Sequence, residues 1–415
     1  MVGRVILLEP SLTSSTGHFA ITADRLTACL APTPVVVVPG ADAAAEIATG
    51  RKSLPRFKHS RTAIARIRHY GPTLECLIRH TESHLPNFLR KRGNRMGRGG
   101  PDAGTFCARA DAASLKPLVT DDLLGILRSI GTDAQDLLFF PSTDAELILA
   151  AAELHRLEPS GPPIALRLMY DDFGSHSTAP TWRSALRLLL GLPKARFRFH
   201  LFAETLQFAA AIGDSSRQDV LLFPHPTAIP ASPPPVLNGE FVFLVPGTMR
   251  ADKGEHLLKQ ISAHLAALLQ TKALPFITVR TQSCEAFACD KFRFELLPSF
   301  LSDQDYARQW QNCHAALLLH DPTIFGLRGS GTACDAVAGH RPFLALRGSS
   351  CGQWIRKNNG ILAEPDARSV AHRMVDLIEN YRDHSAGCAA AASHLDTCLA
   401  QAVQALRRCL PISTD

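Results

Sequence analysis

The sequence alternates twice between short apolar runs and longer segments with helical spacing, and this pattern constrains the fold more than any other feature. In residues 1–223 the runs are RVILLEP, TPVVVVPG, QDLLFFP and PIALRLMY, and helical patterns such as TADRLTACL and ELILAAAELHRL lie between them. Runs that are apolar throughout are typical of strands buried on both faces, and intervening helices imply parallel pairing. The first half of the chain is therefore predicted to form a parallel α/β sheet.

A proline-rich segment, residues 224–240, separates this pattern from a second one. The alternation restarts with FVFLVPG and continues through FITVRT, KFRFELLPS, HAALLLH, RPFLAL and NGILAEP. We expect two Rossmann-like parallel-sheet domains that face each other across a cleft. They are residues 1–235, with a basic insert at 51–104, and residues 236–395, followed by a C-terminal helix at 396–415. In such folds ligands bind at the carboxyl ends of the strands, so functional residues are expected in the loops there.

Length and composition exclude several classes of protein. A chain of 415 residues, 46% of them hydrophobic and 20% charged, suits two globular domains of about 200 residues each. No stretch approaches the ~20 apolar residues of a membrane-spanning helix, and the opening MVGRVILLEP lacks a secretory apolar region. Eleven cysteines include no CxxC pair and no Cys/His cluster at zinc spacing. We therefore expect a cytoplasmic protein with no bound metal or other cofactor.

Residues 51–98 form a strongly basic segment. They hold thirteen Lys and Arg against two Glu, a net charge of +11, whereas the whole chain carries +6. Parts of the segment are amphipathic, which suits an anionic membrane surface or an acidic acceptor. Aromatic residues that stack on single-stranded nucleic acid are sparse (Phe57, Tyr70 and Phe88), so no nucleic-acid partner is expected. The alternative is a solvated loop and helix.

The second domain opens with FVFLVPGTMRADKGEHLL, a strand followed by a turn and a helix. Gly247 ends the strand, and Arg250 and Lys253 precede Gly254 at the start of the helix. Two cations and the free N–H groups of a helix N-terminus at one strand end suit an anion such as phosphate. The alternative is a solvated helix entrance with a glycine turn.

A second candidate stretch is HDPTIFGLRGSGTACDAVAGHRP, residues 320–342, where the strand AALLLH runs into a loop and then a helix. The glycines allow close approach of the backbone, and Ser330 or Thr332 is placed to cap the helix or to contact phosphate. Asp335 lies about one turn inside the helix, where its carboxylate can accept two hydroxyl groups, as a ribose diol requires. The alternative is an N-cap turn with an acidic residue that suits the helix dipole. The candidate binding residues of this stretch are Arg328, Gly329, Ser330, Gly331, Thr332 and Asp335.

Together, GTMRADKG and RGSGTACDAVAGHRP resemble the donor half of retaining glycosyltransferases with the GT-B fold, especially glycosyltransferase family 4. LPSFLSDQDYARQWQNCHAALLLHDP and SSCGQWIRKNNGILAEPD are also similar to that family, so the resemblance covers about residues 240–380. In the family a basic pair neutralises a nucleotide diphosphate, and an acidic residue of the later helix binds the ribose. The resemblance implies that Arg250 and Lys253 act on the diphosphate, that Gly247 and the later loop bind the donor, and that Asp335 holds the ribose.

The chain departs from the family at one position. The family often has two Glu residues separated by seven others; Asp335 stands at the second position and Leu327 at the first. Contacts near the diphosphate are then expected to involve Ser330, Gly331 and Thr332, and recognition of the sugar ring is expected to differ.

The resemblance also implies roles for loops of the first domain. Gly17 and His18 lie between the first strand and the first helix, where the family has a loop facing donor and acceptor. His18 is a candidate to bind the transferring sugar or the leaving phosphate. Asp171 and Asp172 follow a strand, and Glu204 holds a similar place, so these three are candidates for the acceptor side. The alternative for each is a cap or helix entrance.

The string Asp303-Gln304-Asp305 matches the DxD metal motif of another glycosyltransferase fold. Ser302, followed by Asp305 three residues later, is also a near match to a helix capping box. We expect the capping role, and no metal.

These features and the resemblance together predict a metal-independent glycosyltransferase that moves a sugar from a nucleotide-diphosphate sugar to a glycan or lipid-linked acceptor, as in polysaccharide biosynthesis. The resemblance implies that the anomeric configuration is retained. The basic segment predicts in addition a peripheral contact with the inner membrane. Two alternatives stay open at this point. One is a GT-B nucleotide-sugar epimerase, which needs no acceptor, and the other is a degenerate sugar-nucleotide-binding scaffold without activity.

Overall fold

The structure is a computed structural model that describes residues 3–12, 18–40, 57, 112–170, 181–193, 198–248, 250–282, 287–288, 290–298 and 301–411. The basic segment, apart from Phe57, lies outside these residues. The described residues form two sheets, one before and one after the proline-rich segment. The part that carries the first sheet is called the first lobe, and the part that carries the second sheet is called the second lobe.

The first lobe is built on a six-stranded sheet of order β2–β1–β3–β4–β5–β6, in which every pairing is parallel. Its strands are β1 (Val5–Glu9), β2 (Val35–Pro39), β3 (Leu137–Thr143), β4 (Ile164–Leu168), β5 (Phe199–Ala203) and β6 (Leu221–Leu222). Its helices are α1 (His18–Leu30), α2 (Ala112–Ile130), α3 (Ala145–Leu157), α4 (Trp182–Leu190) and α5 (Leu206–Ser216). Strands β1, β3 and β4 are buried along their whole length, as helices on both faces require. The predicted parallel sheet is confirmed.

The second lobe has a seven-stranded sheet of order β13–β12–β11–β7–β8–β10–β9. Its strands are β7 (Glu240–Leu244), β8 (Phe276–Thr281), β9 (Phe287–Ala288), β10 (Phe292–Leu296), β11 (Ala315–Leu318), β12 (Phe343–Leu346) and β13 (Gly360–Ala363). Its helices are α6 (Glu255–Thr271), α7 (Asp303–Gln311), α8 (Pro322–Phe325), α9 (Gly331–Ala338), α10 (Ala367–Glu379) and α11 (Tyr381–Arg408). The edge strand β9 pairs antiparallel with β10, because the short connection between them allows a hairpin and no crossover. The other pairings are parallel, as predicted.

The last helix, α11, joins the two lobes. Its early residues, among them Ala391 and Leu395, pack in the core of the second lobe, whereas Val403 and Leu406 pack against the first lobe. Arg407, near its end, donates a hydrogen bond of 2.9 Å to the carbonyl oxygen of Cys29 at the end of α1. This helix therefore contributes to the cores of both lobes.

The sequence-based boundary of this helix, residue 396, is wrong, because α11 begins at Tyr381. Only Asn380 separates it from α10, and so short a break leaves no proline or glycine signal. Gly387 lies within the helix because the loop before β13 crosses it there. A Cβ atom at Gly387 would stand 1.9 Å from the carbonyl oxygen of Lys357.

The proline-rich segment connects β6 to β7 without a helix or strand and is fixed to the second lobe. Arg341 is fully buried and donates to the carbonyl and the hydroxyl oxygen of Ser232, at 2.9 and 2.8 Å. The Tyr381 hydroxyl donates to the carbonyl of Pro235 at 3.0 Å. The expected domain boundary at 235/236 falls within this segment, which is held by hydrogen bonds to specific carbonyls.

The cysteine spacing gave no sign of a metal site, and no stretch was apolar enough to span a membrane. All seven described cysteines are free, and five of them are buried. Burial raises the pKa of the Cys313 and Cys351 thiols to about 12, so they stay protonated. None of the described helices combines the length and the apolar character that a membrane span requires.

Arg341 gives a test of how the proline-rich segment is held. The six hydrogen bonds of its guanidinium go to carbonyl and hydroxyl oxygens. We expect Arg341→Met to lower the free energy of unfolding by about 3–5 kcal/mol, because it leaves buried carbonyl groups unpaired. Arg347→Ala is the matched control: Arg347 forms an exposed pair with Glu364, worth about 1 kcal/mol at most. Urea unfolding of both variants measures the difference, and equal effects would contradict the assignment.

Candidate functional site

A cleft of about 620 Å³ lies between the two lobes, where strands of both sheets end. The first lobe contributes Ile21, Met169, Tyr170 and Glu204, and the proline-rich segment contributes His225, Pro226, Ala228 and Ile229. From the second lobe come Gly247, Thr248, Arg250, Asp252, Lys253, Gln282, Leu301, Asp303, Tyr306, His320, Phe325, Arg328, Gly329, Ser330, Gly331, Thr332 and Asp335. The second lobe thus supplies most of the charged and hydroxyl groups, and the structure brings together every predicted site residue of that lobe.

The positive charge of the cleft comes from the turn after β7. Arg250 and Lys253 flank the short 3₁₀ turn Ala251–Lys253. Arg250 is about half exposed and donates to both carboxylate oxygens of Asp252, at 2.9 and 2.8 Å. Burial, together with the neighbouring charge of Arg250, lowers the pKa of the Lys253 ammonium. Two cations and one carboxylate leave a net positive charge, which suits an anionic ligand.

Two glycines shape this corner. Gly254, which starts α6, has a φ of +78°, and a Cβ atom there would lie 2.5 Å from the carbonyl oxygen of Leu319. Only glycine lets the turn pack this closely against the residue that follows β11. Gly247 also has a positive φ, +75°, and Lys253 Nζ lies 3.6 Å from where its Cβ would be. Gly254 is thus required by its close contact with Leu319, and Gly247 by its positive φ.

The loop before α9 carries a hydrogen-bonded group of three side chains. Ser330 is the N-cap residue of α9, yet its side chain makes no cap hydrogen bond. Its hydroxyl lies 3.1 Å from His320 Nε2 and 2.8 Å from Thr332 Oγ1. The sequence predicted that Ser330 or Thr332 caps the helix or contacts phosphate. The structure shows instead that Ser330 bonds to its neighbours, so the first N–H groups of α9 receive no cap from it.

His320 is a residue of this group that the motif analysis did not single out. It is 3% exposed, and its ring stands edge-on against Phe325 with the ring centres 4.5 Å apart. Burial, reinforced by the charges of Lys253 and Arg250, lowers the pKa of the imidazole to about 3. His320 is therefore neutral at physiological pH. Its place two residues after β11, at the carboxyl end of a buried strand, was a signal in the sequence that it would face the cleft.

Asp335 is held from two sides. Its Oδ1 accepts a hydrogen bond from the hydroxyl of Thr227 in the proline-rich segment, and its Oδ2 accepts one of 3.0 Å from the hydroxyl of Tyr306 in α7. Burial raises the pKa of the carboxyl to about 6, although these two hydrogen bonds oppose the shift. Each carboxylate oxygen can accept two hydrogen bonds, so one acceptor position remains on each. Sequence patterns did not indicate Thr227 or Tyr306, which come from distant segments.

Glu204 follows β5 and lies against the second lobe. It is 3% exposed, and its Oε1 lies 3.2 Å from Nη2 of Arg167, which is 1% exposed. Arg167 is further held by the carbonyls of Phe223 and Pro141, both at 2.8 Å. Burial raises the pKa of the Glu204 carboxyl, and the charge of Arg167 offsets part of that shift.

Gly329 makes this contact between the lobes possible. A Cβ atom at Gly329 would lie 2.3 Å from Cδ of Glu204. Beside it, the Thr205 hydroxyl donates to the carbonyl of Leu327 at 2.6 Å, and the Leu327 side chain packs on the core of the first lobe. Leu327 therefore serves as a contact between lobes. Glu204, expected on the acceptor side, lies against the loop expected to bind the donor.

Most of the site residues predicted in the first domain have no described position in the cleft. Gly17, Asp171 and Asp172 lie outside the described residues. His18 is the first residue of α1, and Ile21, one turn further along that helix, lines the cleft. Helix α1 therefore contributes a side chain to the cleft, and the roles expected for Gly17 and His18 stay predictions.

The capping role of Ser302 is confirmed. Its side chain accepts the backbone N–H of Asp305 at 3.1 Å and donates to the Asp305 carboxylate at 2.7 Å. Arg308 also donates to that carboxylate, at 3.0 Å. In the described part of the chain, no group of three or more His, Cys, Asp or Glu residues is arranged to hold a metal ion.

No family model matches the chain, and no curated protein matches it in sequence. Solved structures match over nearly its whole length. A sucrose-phosphate synthase from Thermosynechococcus elongatus has a TM-score of 0.57 at 12% identity and covers 98% of both chains. HepE from Anabaena, solved in complex with UDP, has a TM-score of 0.54 at 12% identity over 98% of this chain and 100% of its own. A glycosyltransferase from Rickettsia africae has a TM-score of 0.52 at 10% identity over 100% of both chains. The protein therefore has the α/β fold of the GT-B glycosyltransferases, with two Rossmann-like lobes facing across a cleft.

Proposed function

We propose that the protein is a glycosyltransferase that uses a nucleotide-diphosphate sugar as its donor. One observation carries the proposal: Arg250, Lys253, the uncapped start of α9 and Asp335 line the same cleft. Cations and helix N–H groups suit a diphosphate, and the buried carboxylate suits the hydroxyl groups of a ribose. The similar fold of HepE, which was solved with UDP, is consistent with such a ligand.

Charge stabilisation accounts for the chemistry proposed for this cleft. Breaking the bond between the sugar and the diphosphate places negative charge on the leaving phosphate and positive character on the anomeric carbon. We assign stabilisation of the leaving group to Arg250, Lys253 and the N–H groups of Gly331 and Thr332, which line the cleft, and metal independence is part of the proposal. A ligand anion would also favour the charged form of Lys253, opposing the loss of proton affinity that burial causes.

The sugar and the acceptor are assigned to the side of the first lobe. Ile21, Met169 and Tyr170 line that side, opposite the positive corner. Retention of the anomeric configuration, a glycan or lipid-linked acceptor and a role in polysaccharide biosynthesis follow from the resemblance to family 4 and are part of the proposal. So is a peripheral contact of the basic segment 51–98 with an anionic membrane, which rests on its charge.

Binding of a nucleoside diphosphate is the first test. A ligand at 100 times its dissociation constant should raise the free energy of unfolding by about 2.7 kcal/mol, which a thermal-shift assay detects. We expect one nucleoside diphosphate to stabilise the protein. Arg250→Ala and Asp335→Asn should weaken its binding by about 10- to 100-fold, because each removes a charged hydrogen-bond partner. Arg347→Ala, which removes an exposed arginine of the same lobe outside the cleft, is the control. Equal binding by all four proteins would contradict the assigned site.

Asp335 should make donor binding depend on pH. The pKa of its carboxyl is raised from 3.8 to about 6, so the folded protein holds this proton up to about pH 6. Only the ionised form accepts hydrogen bonds on both oxygens, so the affinity for a sugar nucleotide should rise as pH rises through about 6. Over the same range, from 3.8 to about 6, the contribution of this group to the free energy of unfolding falls. Calorimetric titration between pH 5 and pH 7.5 should show the rise in wild type and a flat profile in Asp335→Asn.

The rate at which nucleoside diphosphate is released, with and without an acceptor, distinguishes glycosyl transfer from isomerisation of the sugar nucleotide. We expect release of nucleoside diphosphate from the bound sugar nucleotide to accelerate when a glycan acceptor is added. Arg250→Ala should reduce the rate by about 10²- to 10³-fold, since it removes charge stabilisation of the leaving group. Coupled detection of the released diphosphate over a panel of acceptors measures this. Conversion of the sugar nucleotide without any acceptor, into an isomer of itself, is the result that would overturn transfer.

A further inference from the structure

Ser330 occupies a capping position without capping its helix. A serine at the N-cap normally accepts an N–H group from the first turn, as Ser302 does at α7 and Thr205 does at α5. The Ser330 hydroxyl makes no such bond to α9. The backbone N–H groups of Ala333 and Cys334 donate to the carbonyl oxygen of Ser330. The N–H groups of Gly331 and Thr332, at the first turn of α9, are therefore the ones that another acceptor can bind. Those two residues, Gly331 and Thr332, line the cleft.

We attribute the missing cap bond of Ser330 to His320, which holds the Ser330 hydroxyl away from the start of α9. Its Nε2 is 3.1 Å from Ser330 Oγ, which in turn is 2.8 Å from Thr332 Oγ1. Burial and the edge-on contact with Phe325 fix the imidazole ring. In the rotamer that places the hydroxyl beside this ring and Thr332, it makes no hydrogen bond to the N–H groups of α9.

We propose that His320 is a positioning residue that keeps α9 uncapped, so that a phosphate group of the substrate takes the place of the cap. The inference rests on the proposed function, because the phosphate is that of the nucleotide-diphosphate donor. In the bound state phosphate oxygens accept the N–H groups of Gly331 and Thr332, while Arg250 and Lys253 supply the charge. His320 touches Ser330 and makes no contact with the reacting atoms.

A neutral imidazole suits this task better than a charged group. Burial beside Lys253 and Arg250 keeps His320 uncharged, since the pKa of the ring is lowered to about 3. The ring therefore binds the hydroxyl without repelling the two cations or attracting the phosphate to itself. An apolar residue in its place would release the Ser330 hydroxyl, which would then cap α9 and compete with the ligand for the same N–H groups.

A double-mutant cycle tests the proposal with inorganic pyrophosphate as the probe, by calorimetry on the full-length protein. His320→Leu should weaken pyrophosphate binding about five- to tenfold, the size of a competing cap. Adding Ser330→Ala in that background should restore most of the lost affinity, because no hydroxyl remains to cap the helix. His320→Gln, which can still hydrogen-bond Ser330, should bind more tightly than His320→Leu. His320→Met serves as the apolar variant if His320→Leu does not fold.

The control is His314→Leu. His314 is also a buried histidine of the second lobe, where its Nδ1 accepts the N–H of Val242 at 2.9 Å, and it lies outside the cleft. We expect no change in its pyrophosphate affinity. Weak binding by His320→Leu that Ser330→Ala does not relieve, or unchanged binding by His320→Leu, would overturn the positioning role alone. Failure of the wild type and of all variants to bind pyrophosphate or any nucleoside diphosphate would overturn the proposed function and this inference together.

Discussion

The contact between Glu204 and Gly329 is the constraint on which the cleft depends. A carboxylate from the first lobe, neutralised by Arg167, lies where any side chain at position 329 would have to stand. The glycine therefore lets the loop before α9 rest directly on the end of β5. Leu327 and α11 extend this contact by packing side chains of the second lobe and the C-terminal helix on the core of the first. The cleft is the space left between lobes held at this distance.

Burial shifts the pKa values of the ionisable side chains in the cleft. The pKa of Lys253 is lowered, that of Asp335 is raised to about 6, and that of His320 is lowered to about 3. In each case the low-polarity surroundings disfavour the charged form. Arg250 is half exposed and pairs with the carboxylate of Asp252. The cleft therefore combines an exposed arginine with ionisable groups whose charged forms are disfavoured by burial.

Much of this molecule follows from local patterns in the sequence. Continuous apolar runs predicted buried parallel strands, and the turns after β7 and before α9 predicted residues at the strand ends that the structure brings to one cleft. These predictions succeed because the carboxyl ends of parallel strands meet at one edge of a sheet, whatever the details of packing. The capping of α7 by Ser302 was equally local, since it involves residues three positions apart.

Tertiary structure alone decided the partners of the site residues. Asp335 is held by Thr227 and Tyr306, which are 108 and 29 residues away in the chain, and no periodicity links such positions. Ser330 makes no cap bond to α9, and its hydroxyl instead lies within hydrogen-bond distance of His320, ten residues earlier. The continuous course of α11 and the place of Glu204 beside Gly329 also arise from packing between segments. The sequence by itself determined the two sheets and the edges where chemistry is placed, because these depend on local periodicity; tertiary structure decided which side chains meet there, because that depends on the packing of distant segments.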